Sequence, residues 1–97
     1  MKLLTKQLLS RIPPLGATAN DADPLIACKF FYPDFGWTWY VIEFDGKDVF
    51  YGLVDGFERE FGAFSLTELR RNHGKLGCPI ERDLYFEPCR VSELMKS

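Results

Sequence analysis

Apolar residues occupy both faces of the middle third of this chain. Neighbouring side chains in a strand point to opposite sides of the sheet. Residues 37–44 put Trp37, Trp39, Val41 and Glu43 on one side and Thr38, Tyr40, Ile42 and Phe44 on the other. Residues 48–54 oppose Val49, Tyr51 and Leu53 to Phe50, Gly52 and Val54. An antiparallel sheet with one wet face alternates apolar with polar, and these runs do not. They predict a small sheet that needs covering twice. Two short helices suffice for one face. The second must meet the C-terminal segment, a curled part of the same sheet or another molecule.

The remaining elements follow from local signals. Leu4, Leu8, Leu9 and Ile12 make a helical stripe that Thr5 can cap, and Pro13-Pro14 ends it. Residues 15–24 are rich in Gly, Ala, Asn, Asp and Pro and predict a surface loop. A strand is expected over 25–32, a turn at Pro33-Asp34-Phe35-Gly36, and hairpin turns at Asp45-Gly46 and Asp55-Gly56. A weaker strand over 60–64 completes an antiparallel meander. Ser65-Leu66-Thr67-Glu68 has the pattern of a capping box and predicts a helix over 66–72. A short strand over 83–87 and a helical turn over 91–95 close the chain. The fold class expected is α+β: a meander sheet of four or five strands with two or three short helices, mainly on one face, in a single domain spanning 1–97.

Composition narrows the class of protein. A 46% hydrophobic and 27% charged chain is an ordinary globular one. No apolar run nears the roughly 18 residues that span a bilayer, and Lys6 and Gln7 interrupt the apolar start where a signal peptide would continue. A cytoplasmic location without membrane attachment is the expectation. Cys28, Cys78 and Cys89 are odd in number and lack redox or zinc spacing, so reduced thiols are expected, with a Cys78–Cys89 disulfide open on spacing alone.

Charge changes the picture more. The net charge is −2, but residues 34–68 hold eight acids against Lys47 and Arg59, and the flanking segments are each basic in balance. The acidic stretch overlaps the aromatic segment, since thirteen of the fifteen aromatics lie between Phe30 and Phe64. An acidic surface repels phosphate backbones, which disfavours direct nucleic-acid binding and suits a basic partner.

Chemistry is sparse. His73 is the only histidine, the glycines are scattered turn glycines, and no metal, cofactor or catalytic pattern stands out. Glu43, Asp55 and Glu58 could supply a carboxylate group for a metal-dependent hydrolase, and the aromatic face could stack single-stranded bases. The non-enzymatic alternative is favoured: Trp37, Trp39 and Tyr51 as apolar anchors, with Asp55, Glu58 and Glu60 as complementary charge for another protein. A homodimer would cover the same oily face. Glu81-Arg82-Asp83 is expected to fix its segment against the sheet.

Several phrases carry a family resemblance: Leu3-Leu4-Thr5 with Pro13-Pro14, Lys29-Phe30-Phe31, Trp37-Thr38-Trp39-Tyr40-Val41, Tyr51-Gly52-Leu53-Val54-Asp55-Gly56-Phe57-Glu58, Phe64-Ser65-Leu66 and the run from Pro79 to Pro88. In that order, across nearly the whole length, the chain resembles the small bacterial family catalogued as domain of unknown function 2958. The resemblance implies a setting, namely plasmids, integrative elements and phages, and transfers no catalytic residues. It makes the expected function that of an accessory protein of a mobile element, binding and inhibiting a host-defence or nucleic-acid-processing protein.

Overall fold

The computed structural model describes residues 2–72 and 76–96. Its elements, in chain order, are α1 (Lys6–Leu9), β1 (Leu25–Ile26), β2 (Cys28–Phe31), β3 (Thr38–Phe44), β4 (Val49–Asp55), β5 (Arg59–Ser65), α2 (Leu66–Arg71), β6 (Glu81–Arg82), β7 (Cys89–Arg90) and α3 (Val91–Met95). The fold is α+β. One antiparallel sheet has the order β5-β4-β3-β2-β6, and β1 and β7 form a second, two-stranded sheet. Among the described residues no helix is long and apolar enough to cross a membrane.

The expected meander is the run β2 to β5, with two differences around it. The strand expected over 25–32 is cut at Ala27. Leu25 and Ile26 pair with Arg90 and Cys89, whereas Cys28–Phe31 pairs with β3. The strand expected over 83–87 is a turn instead, because the Asp83 carboxylate accepts the Tyr85 N–H at 2.9 Å and competes with ladder pairing. Pairing there falls earlier, with Glu81 and Arg82 opposite Phe31 and Phe30. Arg82 also donates to the Leu3 carbonyl at 3.2 Å, and Asp83 lies 3.6 Å from Lys29 Nζ. His73 lies outside the described residues.

A bulge in β3 sets which residues share a face. Phe44 pairs with Phe50 and Glu43 with Tyr51, but beyond the irregularity Val41 pairs with Gly52 and Trp39 with Val54. Ile42 is the extra residue, so Ile42 and Glu43 lie on the same side. Trp39, Val41, Phe44, Phe50 and Val54 therefore share face one, and Tyr40, Ile42, Glu43, Tyr51 and Leu53 share face two. Gly52 sits opposite the bulge, where a Cβ would collide with the Tyr40 carbonyl oxygen.

Both faces are covered within the chain. On face one, Phe30, Trp39, Val41, Phe44 and Phe50 pack under Leu3, Ile12, Leu66, Leu69 and Ile80, from the N-terminal segment, α2 and the residue just before β6. On face two, Tyr40, Ile42 and Leu53 pack with Ile26 of β1 and with Phe86, Cys89, Val91 and Leu94. The cover for the second face is thus the C-terminal segment with the small sheet. The sheet does not curl round on itself.

Carboxylates fasten these covers. Thr5 caps α1 by accepting the Leu8 N–H at 3.1 Å, as its position predicts. Ser65 caps α2 by accepting the Glu68 N–H at 3.3 Å, and Asp48 adds to it: its carboxylate accepts from Ser65 Oγ, Thr67 N and Thr67 Oγ1 at 2.6–2.8 Å. Asp23 does the same for α3, accepting Ser92 N and Oγ at 2.8 and 2.6 Å. Asp45 accepts three turn amides, those of Lys47, Asp48 and Val49, at 2.7–3.0 Å.

Candidate partner-binding surface

The cover on face one stops short of the sheet's β5 edge. Across β4 and β5 the face-one pairs are Phe50 with Phe64, Gly52 with Gly62, and Val54 with Glu60. The glycine pair leaves a gap between two filled rows, since a Cβ on Gly62 would meet nothing within 4 Å. The result is an open trough of about 410 Å³ lined by Trp37, Val54, Phe57, Glu58, Glu60 and Gly62, among others.

Its aromatic wall is built by close packing at Gly56. The Trp37 indole lies against this residue so tightly that a Cβ there would fall 2.7 Å from the ring. Phe57, next in the turn, meets Trp37 edge to face at 5.5 Å and 84°. Phe57 is nevertheless 90% exposed, and Trp37 is half-buried. Behind them Trp39 lies 6.0 Å from Trp37 and packs on Tyr32 at 5.3 Å. Glu58 and Glu60 are exposed at the trough and belong to no ion pair among the described residues.

Of the six residues expected to bind a partner, the structure brings three together: Trp37, Glu58 and Glu60. Trp39, at 6% exposure, is a core residue beneath the wall and offers no surface. Tyr51 is on face two, because Trp39 pairs with Val54 and not with an odd-numbered residue of β4. Asp55 is also on face two, opposite Arg59, whose Nε lies 3.2 Å from its carboxylate. The expected acidic trio thus splits across the sheet. Phe57 is the surface residue that sequence reasoning passed over. Its signal was its place directly after Asp55-Gly56, since a turn tip cannot bury a phenylalanine in the sheet it caps.

A second trough, of about 420 Å³, lies on face two, lined by Tyr51, Phe61, Glu43 and the turns from Gly16 to Pro24. Phe61 is 48% exposed and stacks on Tyr51 at 6.4 Å. Glu43, 5% exposed, holds the turns in place. Its carboxylate accepts from Gly16 N at 2.8 Å, Thr18 N at 2.9 Å and the Thr18 hydroxyl. Burial pushes this carboxyl up, but the bonds from Thr18 and Gly16 outweigh burial and hold it below its ordinary 4.5.

These positions bear on the hydrolase alternative. Glu43 pairs with Tyr51, four residues along β4 from Asp55, a separation of about 13 Å. Glu43, Asp55 and Glu58 therefore form no common site. Among the described residues no group of three His, Cys, Asp or Glu side chains is placed to hold a metal ion.

A family profile matches residues 3–96. The chain belongs to the family described as "Protein of unknown function (DUF2958)". No curated protein and no solved structure matches it. In this DUF2958 protein the phrase from Tyr51 to Glu58 now has a structural reading. Gly52 permits the bulge, Gly56 seats Trp37, and Phe57 and Glu58 face the trough. The three cysteines are free. Burial pushes the Cys28 thiol up to about 12 despite the nearby charge of Arg82, and burial with neighbouring carboxylates raises Cys78 and Cys89 too. A raised pKa keeps each as the thiol rather than the thiolate at neutral pH.

Proposed function

We propose that this protein acts without catalysis, by binding another protein at the trough between Trp37, Phe57, Glu58 and Glu60. The observation that carries this reading is the make-up of that corner. There a phenylalanine is almost fully exposed beside a half-buried indole and two carboxylates that belong to no ion pair among the described residues. A contiguous exposed apolar patch rimmed by polar residues marks an interaction site. An aromatic anchor rimmed by acids suits a partner with a basic surface and gives fast, salt-sensitive association.

The setting that the family resemblance implies is a mobile genetic element. There the partner would be a host-defence or nucleic-acid-processing protein, inhibited where carboxylates occupy the place of phosphates. Affinity purification from a native bacterial host at low salt tests this. A basic protein is expected to co-elute and to be lost at about 0.5 M salt, where the Debye length falls to roughly 4 Å. Recovery of no partner at low salt, or of one indifferent to salt, contradicts it.

A further inference from the structure

The two troughs flank the same strand. One lies on face one over Gly62, the other on face two beside Phe61, and β5 between them is the end strand of the sheet. Among the described residues β5 pairs only with β4, so alternate N–H and C=O groups along its seven residues point outward without a ladder partner. Edge strands are normally blunted by proline, lysine, a bulge or a cover. β5 reads Arg-Glu-Phe-Gly-Ala-Phe-Ser, pairs with β4 in unbroken register, and has its smallest side chains at the centre.

We infer that the outer edge of β5 receives an extended segment of the partner as an added strand, with basic side chains over face one and apolar side chains over face two. This rests on the protein-binding reading above and specifies how the partner is held. An added strand sends successive side chains to opposite faces. Main-chain bonds to β5 would supply affinity, and the two troughs would select alternate side chains. On face one those side chains meet Glu58 and Glu60. On face two they meet Phe61 and Tyr51, while Asp21 at that trough is already 3.8 Å from Arg90. A second copy of this chain fits less well. Pairing β5 with itself about Gly62 brings another Glu60 to face one, and the one base of the strand, Arg59, is held by Asp55.

The probe is a blocked heptapeptide of alternating lysine and valine. Its comparators carry glutamate for lysine, or N-methyl groups on alternate amides in two versions that cover both edges. Amide resonances of the whole protein are followed by NMR at low salt. The lysine–valine peptide is expected to shift and protect amides between Arg59 and Ser65. N-methylation of the edge in use should weaken it by more than about tenfold, and the glutamate peptide should not bind. The double variant Glu58→Lys, Glu60→Lys, changed only at exposed positions, should reverse the preference toward glutamate. Equal binding by both methylated versions overturns strand addition and leaves the acidic trough standing as a docking surface. Failure of the lysine–valine peptide to bind overturns the proposal outright, and the native purification then decides the broader reading separately. A concentration-dependent dimer that protects the same amides overturns it in favour of a second copy.

Discussion

Single residues decide this structure where a backbone or a charge has no room to move. Gly52 and Gly62 face each other across β4 and β5 and should behave oppositely when a methyl group is added. Gly52→Ala forces a Cβ into the Tyr40 carbonyl and is expected to cost on the order of 2–3 kcal/mol in urea unfolding. Gly62→Ala meets open space, removes a flexible strand glycine, and should be neutral or stabilising by up to about 1 kcal/mol. Equal losses at the two positions would contradict the register. Glu43 makes the second residue-scale prediction. Its folded carboxyl lies below the ordinary 4.5, so the folded state binds fewer protons near that pH than the unfolded chain. Its contribution is therefore complete above 4.5 and disappears as pH falls through the folded value. Glu43→Gln should cost about 1–3 kcal/mol at pH 7, on the scale of charged hydrogen bonds, and less at pH 3. A pH-independent difference between the two proteins would count against this role.

At the scale of elements, much was legible because the signals were local. Thr5 and Ser65 cap their helices, Pro13-Pro14 ends the first, and the aromatic runs form β3 and β4. The face assignments failed for a reason no alternation pattern contains. Five residues separate Phe44 from Phe50, which pairs even positions with even, and the bulge at Ile42 then shifts the register so that Trp39 meets Val54. Reading strands singly placed Trp39 and Tyr51 together, though a tight Asp45-Gly46 hairpin would itself have opposed odd to even. The splitting of 25–32 was equally hidden, because it depends on β7, more than sixty residues away. Nor does sequence reveal that Asp48 fastens α2 across the start of β4. Asp48→Ala should speed hydrogen exchange at the Thr67 and Leu66 amides relative to the β3 ladder. Unchanged exchange there would remove Asp48 from the cap.

For the whole molecule, much of the acidic excess of residues 34–68 is engaged in hydrogen bonds and one ion pair within the fold. Glu43, Asp45 and Asp48 accept backbone amides, Asp34 accepts the Leu76 N–H at 2.6 Å, and Asp55 is bound to Arg59. Composition alone presented this as one acidic field. The fold engages five of the eight acids and leaves Glu58 and Glu60 exposed beside Phe57 and Trp37 at one corner of the sheet, with Glu68 exposed on α2. Recognition through that corner is most directly tested by comparing the wild-type chain with the variant Phe57→Ala, Glu58→Lys, Glu60→Lys as bait in the native host. All three positions are exposed, so the variant should unfold within about 1 kcal/mol of wild type. The expected result is a partner retained by the wild-type chain and lost by the variant. The same partner retained equally by both would contradict a binding role for this surface.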